Sequence, residues 1–242
     1  MMYEASTYGD EIAVVYDALH EELDPAATGT LAELAGRGPV LELGIGTGRF
    51  ALPLQQRGLT VHGIDASAAM VEKLRDKPGG RDIAVTIGDF SRVTLDETFE
   101  LIFVAFNTFF GLLTGDDQLQ CFRNVASMLR PGAVFVIEAF VPDLQRFDRG
   151  QRFAVTRIEP RAVWLEASLH DAARQAVNSQ LVRLSGDGVQ LFPLRIRYAW
   201  PAELDLMAQV AGLRLRERWS GWDRKPFSSA SAAHVSVYER PR

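Results

Sequence analysis

Three acids stand at the same kind of position along this chain. Glu42 lies within the apolar run Val40–Leu43, Asp65 follows the run Leu59–Ile64, and Asp89 follows Ile83–Ile87. Gly44, Gly46 and Gly48 come after the first acid at every second position, ahead of a helix-forming segment. Glycines at a strand-to-helix turn permit φ > 0 and let a ligand lie against bare backbone. A carboxylate ending a second strand can accept both hydroxyls of a ribose. One ending a third strand can accept the exocyclic amine of adenine. This pattern predicts a site for a nucleoside-containing cofactor. The turn reads Gly-x-Gly-x-Gly rather than the Gly-x-Gly-x-x-Gly of dinucleotide binders. With no phosphate to place at the helix N-terminus, the glycine turn would face an amino-acid portion instead.

Residues able to move a proton are few. Glu138 falls near the end of a fifth strand, where a side chain can enter a cleft; strand-end hydrogen bonding explains it as well. His234 opens the last strand, and His20 ends an N-terminal helix, where the helix dipole also accounts for a histidine. His62 is mid-strand and reads as structural, and His170 falls in the strand-rich segment described below. No His, Asp or Glu cluster has metal-ligand spacing, so no metal is expected. Phe106, Phe109, Phe110, Trp222 and Phe227 fall on loops at or near the same sheet edge, and together they suggest a pocket for a partly apolar or ring-bearing substrate.

These residues need elements to hold them. Continuous apolar runs at Val40–Leu43, Leu59–Ile64, Ile83–Ile87, Leu101–Ala105 and Ala133–Ala139 predict parallel strands buried on both faces. Helical patterns separate them. Residues 116–130 carry Leu119, Phe122, Val125, Ala126 and Leu129 on one stripe, with Thr114-x-x-Asp117 as a capping box and Pro131-Gly132 as the stop. Alternating β and α units predict a doubly wound, Rossmann-like α/β sheet. From Gln151 to Trp200 the period changes to two, as in Leu194, Ile196 and Tyr198, and Ser185-Gly186-Asp187-Gly188 reads as a hairpin turn. Three or four antiparallel strands are expected there. A final helix starts at Pro201, places Leu204, Met207 and Val210 on one face and stops at Gly212, before strands at Leu213–Trp219 and Val235–Tyr238. Ahead of the first strand, Glu11–Leu23 reads as one amphipathic helix, with Tyr8 and Tyr16 able to project toward one surface as part of a lid.

The chain has 242 residues, 47% of them hydrophobic and 24% charged, with a net charge of −5. A single α/β domain with an insert fits that length. Scattered basic residues disfavour a nucleic-acid surface. The longest apolar run, Leu101–Leu113, is too short to span a bilayer, and the start Met1-Met2-Tyr3-Glu4 lacks a signal-peptide pattern. One cysteine, Cys121, excludes an internal disulfide, and a cytoplasmic setting with no membrane partner is the expectation.

The set Glu42-x-Gly44-x-Gly46-x-Gly48, Asp65-x-Ser67-x-x-Met70, Gly88-Asp89-Phe90 and Met128-Leu129-Arg130-Pro131-Gly132 resembles the class I S-adenosylmethionine-dependent methyltransferases. That resemblance covers residues 38–140. It implies a seven-stranded sheet with its last strand antiparallel, and S-adenosylmethionine as cofactor, released as S-adenosylhomocysteine. By the same resemblance, Glu42 steadies the turn and reaches the cofactor's amino group, and Gly44, Gly46 and Gly48 give close backbone approach. Asp65 holds the ribose, Met70 packs by the adenine, Asp89 and the Phe90 backbone read its edge, and the Phe106 carbonyl meets the methionyl amine. A coarser likeness, through Tyr16-Asp17-Ala18-Leu19-His20 and the strand-rich insert, points to the small-molecule branch that includes amino-sugar N-methyltransferases. It implies that Tyr16 reaches the cofactor pocket and that the insert forms a substrate roof, a dimer contact or both. The organisation expected is a lid over residues 1–37, a core over 38–148 and 201–242, and an insert over 149–200. The function expected is N- or O-methylation of a small molecule by in-line displacement. The alternatives are a methyltransferase-fold protein that binds the cofactor without methyl transfer, such as a cyclase, or a dinucleotide-dependent oxidoreductase.

Overall fold

Four consecutive buried residues, Val40–Leu43, form the interior strand β1 of a seven-stranded sheet in a computed structural model that describes residues 3–20 and 23–242. Parallel to β1 lie β2 (Val61–Asp65) on one side and β4 (Phe99–Val104) on the other; β3 (Ala84–Ile87) extends the sheet beyond β2. Past β4 the order continues through β5 (Leu129–Phe140), β11 (Ala233–Glu239) and β10 (Arg214–Trp219). The last strand in the chain, β11, runs antiparallel to both neighbours. The full order is β10-β11-β5-β4-β1-β2-β3, a doubly wound layout that reverses direction between β1 and β4.

Helices α3 (Pro25–Ala35), α4 (Ala51–Gln56) and α5 (Ala68–Arg75) contribute Leu31, Leu54 and Leu74 to the apolar layer on one face. On the other face, α6 (Gly115–Met128) and α7 (Pro201–Val210) pack Phe122, Val125 and Leu204. The capping box forms as the sequence suggests. Thr114 Oγ1 accepts from the Asp117 backbone N–H at 3.0 Å and donates to the Asp117 carboxylate at 2.6 Å. The helix stop differs from expectation. Leu129 is already extended, and Pro131-Gly132 lies inside β5 at a register shift against β4, with Gly132 at φ +86°. Proline and glycine are tolerated at such an irregularity because it has no complete ladder to break. In α7, Leu204 and Ala208 make the inward pair while Val210 faces solvent, because residues four apart share a helical face.

The N-terminal helix is also not as expected. The chain forms α1 (Thr7–Ile12), turns at residues 13–15, and forms α2 (Tyr16–Leu19); Glu21 and Glu22, in the remainder of the expected helix, lie outside the described residues, as do Met1 and Met2. Two anchors account for the break. Ile12 is buried against Trp164 and Phe192 of the insert, while Asp17 is drawn to Thr47 and Lys77 of the core. A straight helix would not satisfy both.

Residues 151–197 form a separate antiparallel sheet of four strands, β6 (Gln151–Glu159), β7 (Ala162–Asp171), β8 (Ala176–Ser185) and β9 (Gly188–Arg197), in meander order. Its inner face carries Trp164 and Phe192 against α1 and α2. Its outer face leaves Phe153, Ile158 and Val189 exposed at 70%, 76% and 64%.

Candidate active site

The carboxyl ends of β1, β2, β3 and β4 open into a cavity of about 500 Å³ at the point where the strand order reverses. Open α/β sheets bind ligands at such a point. Its walls include Glu42, Gly44, Gly46, Asp65, Met70, Asp89, Phe90 and Phe106, together with Tyr16 and His20 from α2 and its C-cap.

Gly44 shows why the turn is glycine. Its φ is +72°, and a Cβ there would come within 2.4 Å of Thr108 Cγ2. The Gly46 N–H donates to Asp65 Oδ2 at 2.7 Å and the Ser67 N–H to Asp65 Oδ1 at 2.8 Å, so the acid ending β2 clasps the turn after β1. Burial raises the Asp65 pKa, and these two hydrogen bonds oppose the shift. Glu42 is 4% exposed, and its Oε2 has no hydrogen-bond partner. Desolvation, and then the charge of Asp65, push its carboxyl well above the usual range. An orphaned acceptor on a cavity wall suits a cationic or N–H-bearing ligand group. Asp89 Oδ1 takes the backbone N–H and the hydroxyl of Ser91 at 2.8 and 2.7 Å.

Past β4 the chain turns on two successive left-handed residues, Phe106 (φ +55°) and Asn107 (φ +65°). Three hydrogen bonds hold this turn. The Phe106 N–H donates to Glu138 Oε2 at 2.8 Å, the Asn107 N–H to the Glu138 carbonyl at 3.2 Å, and the Phe140 N–H to Asn107 Oδ1 at 2.7 Å. The exposed Phe106 ring meets the Arg49 guanidinium at 4.3 Å and the His20 ring at 4.8 Å.

Several expected site residues lie elsewhere. Glu138 does not line the cavity: its second oxygen accepts from Trp222 Nε1 at 2.8 Å, so both oxygens hold structure. Trp222 itself is buried in the core by that bond and by packing with Phe50. Phe109 and Phe110 are fully buried, edge-on to Phe122 and Phe140, because the short turn after Asn107 directs them into the sheet core. Phe227 packs against His234, and neither lines the cavity at the strand ends. His234 is buried with Nδ1 on Ser236 Oγ at 2.8 Å, and desolvation lowers its pKa to about 4. Gly48 is likewise a packing position, since a Cβ there would meet Leu74 Cδ1 at 2.3 Å. Of the three proton-transfer candidates, only His20 reaches the cavity, and burial followed by the Arg49 charge lowers its pKa to about 4.

Other residues join the site without having been singled out from sequence. Arg49 follows directly on the glycine turn, a position that could have flagged it, and donates to the His20 carbonyl at 3.3 Å. Two acids of the N-terminal segment latch it to the core. Asp10 accepts from Ser67 Oγ at 2.6 Å; Asp17 accepts from Thr47 Oγ1 at 2.6 Å and pairs with Lys77 Nζ at 2.8 Å. Leu194 and Ile196 of β9 close the cavity from the insert side. Among the described residues, no group of three or more His, Cys, Asp or Glu could hold a metal ion, and no helix is long and apolar enough to cross a membrane.

Residues 40–132 match the family described as Methyltransferase domain. The fold as a whole is similar to the CcbJ methyltransferase from Streptomyces caelestis, with 43% identity over 99% of this chain and 100% of that one, at a TM-score of 0.93. This chain belongs to the class I S-adenosylmethionine-dependent methyltransferases. It is also 27% identical, over 99% of its length and 100% of the relative's, to a cypemycin N-terminal methyltransferase from a Streptomyces species. A dTDP-4-amino-2,3,4,6-tetradeoxy-D-glucose N,N-dimethyltransferase from Saccharopolyspora spinosa is 32% identical over 55% of this chain and 56% of that protein. The cofactor is therefore S-adenosylmethionine, and the orphaned Glu42 oxygen, the bare Gly44–Gly46 turn and the acids at the ends of β2 and β3 form a wall that fits it.

Proposed function

We propose that this enzyme methylates an amine nitrogen of a small molecule. One observation carries that reading. Two side chains on the cavity wall, His20 and Tyr16, are poorly matched to deprotonating an alcohol: burial and the Arg49 charge lower His20 to about 4, and burial raises the Tyr16 hydroxyl to about 12. An alcohol must lose its proton as it attacks, whereas an amine can attack through its lone pair. The named activities of two relatives, an N-terminal and an N,N-dimethyl transferase, support the same choice.

In this reading S-adenosylmethionine supplies an electrophilic methyl on a sulfonium, and the protein's own part is alignment, worth up to about 7–11 kcal/mol for well-oriented groups. Asp65 accepts the ribose hydroxyls through lone pairs left free by the Gly46 and Ser67 N–H groups. Asp89 and the Phe90 backbone read the adenine edge, and Met70 packs beside it. Glu42 and the Phe106 carbonyl receive the methionyl amine, Arg49 balances its carboxylate, and Tyr16 with His20 covers that end of the site. Of the expected lid over 1–37, α1 and α2 act as the cover, while α3 joins the core of 38–148 and 201–242 through Leu31; residues 149–200 act as the substrate roof. A cytoplasmic setting agrees with the single buried thiol, Cys121. The exposed apolar outer face of the insert supports a homodimer built by pairing that face with its copy.

Calorimetry with S-adenosylmethionine and with NADH tests the cofactor assignment. The variant Asp65→Ala should lose two hydrogen bonds to a charged acceptor, at about 1.5–3 kcal/mol each. Affinity then falls about 10²–10⁴-fold, while the desolvation cost of the buried carboxylate, which leaves with it, partly offsets the loss of the Gly46 and Ser67 hydrogen bonds in the fold. Near-normal affinity in Asp65→Ala would remove the ribose role.

A further inference from the structure

A second cavity, of about 280 Å³, adjoins the cofactor cleft and shares Tyr8, Phe140, Leu194 and Ile196 with it. Four common wall residues make the two spaces neighbours across a single boundary, between the inner face of the insert and the end of β5. The far wall of the second chamber is built from Leu144, Phe147, Val177 and Leu181.

The basic charge here is already matched, and Asp143, the second acid on the wall, accepts from the Gln145 N–H at 3.0 Å. Arg146 is the one basic residue on this wall among the described residues, and its guanidinium lies 3.7 Å from Glu166. The same carboxylate takes Arg152 and accepts from Ser168 Oγ at 2.8 Å. Tyr198 is engaged with His170, whose ring stacks on Phe147 at 4.6 Å. A diphosphate needs unpaired guanidinium or ammonium groups aimed at it, and this chamber offers none. An apolar group needs only removal from water.

We propose that this chamber binds an apolar portion of the methyl acceptor, an alkyl chain or hydrocarbon ring, and does not receive a nucleotide diphosphate. The acceptor lies across the shared boundary, with its amine in the cofactor cleft and its apolar portion against Phe147 and Leu181. This assignment rests on the methyltransferase reading above, and its test separates the two.

Full-length protein saturated with S-adenosylhomocysteine is titrated by calorimetry with n-butylamine, n-hexylamine and n-octylamine, and separately with dTDP. Affinity should rise about three- to fourfold per methylene, the value for burying one CH₂, and dTDP should show no saturable binding. The variant Leu181→Asn should cut the dependence on chain length to below about 1.5-fold per methylene, with S-adenosylhomocysteine affinity within twofold. Phe147→Ala, on a loop, makes the same test should Leu181→Asn fail to fold. The chamber assignment is overturned by an affinity independent of chain length, by an unchanged dependence in a folded variant, or by dTDP binding tighter than octylamine. Failure of the wild-type protein to bind S-adenosylhomocysteine instead overturns the cofactor reading.

Discussion

Replacing Glu138 by glutamine separates a proton acceptor from a positioning group. The carboxylate accepts two hydrogen bonds, from the Phe106 N–H and from Trp222 Nε1, each at 2.8 Å. A glutamine side chain has one acceptor oxygen and an NH₂, so one donor is left facing another donor. A buried donor without a partner costs about 1–3 kcal/mol. Taking about 2 kcal/mol, and about 2–4 °C per kcal/mol for a chain of this size, Tm should fall by about 4–8 °C. The damage reaches the cofactor through the turn. Phe106 and Asn107 both sit at positive φ, a conformation that costs about 1–3 kcal/mol per residue and persists only when its surroundings hold it. Loosening that turn should displace the Phe106 carbonyl and weaken cofactor binding about tenfold, the equivalent of about 1.4 kcal/mol. Calorimetry, a melting curve and single-turnover rates across pH make the measurement. A normal Tm and normal affinity, combined with a hundredfold loss in turnover and the loss of a rising acid-side limb in the pH profile, would refute this reasoning and restore Glu138 as the base.

Three further outcomes are expected. Asp17→Asn should speed cofactor release about two- to fivefold in stopped-flow chase experiments, since a half-exposed ion pair contributes about 1 kcal/mol or less; partial burial opposes it, but the Lys77 and Thr47 bonds hold the Asp17 pKa below the ordinary value, so this contribution is complete above that value and disappears only as pH falls through the lowered one. At saturating cofactor, turnover should climb with pH along the acceptor amine's own titration, with no step between pH 5 and 8 from His20, and His20→Gln should leave the shape of that profile unchanged. Ile158→Asp, on the exposed outer face of the insert, should shift a sedimentation profile toward monomer with cofactor affinity unaltered, whereas an unchanged profile would remove that face from any dimer.

Much of the cofactor wall could be read along the chain because it depends on local rules. A strand buried on both faces must be apolar throughout, and a turn that bares its backbone to a ligand must use glycine, so Val40–Gly48 carries its meaning in nine residues. The acids ending β2 and β3 are legible for the same reason: Asp65 and Asp89 close runs whose period already marks them as strands. The four-stranded insert and its hairpin also show in a period of two and a Gly-Asp-Gly turn.

What the chain did not disclose was the direction of side chains on irregular backbone. Phe106 and Phe109 are three residues apart in one loop, yet the left-handed pair at Phe106 and Asn107 leaves the first in the cleft and drives the second into the core. Glu138 sits at the strand end where a base was expected, and only the arrival of Trp222 from 84 residues away shows that both its oxygens are taken. The N-terminal segment scans as a single amphipathic helix, but its break depends on anchors in two different units, the insert at Ile12 and the core at Asp17. The acceptor chamber lies between the end of β5 and the face of β8 and β9, so no stretch of sequence contains it. Patterns set by a strand's own period and a turn's own φ were therefore decided by sequence, whereas contacts closed across long separations were decided by the tertiary structure alone, because hydrogen-bond partners and cavity walls exist only once distant segments have met.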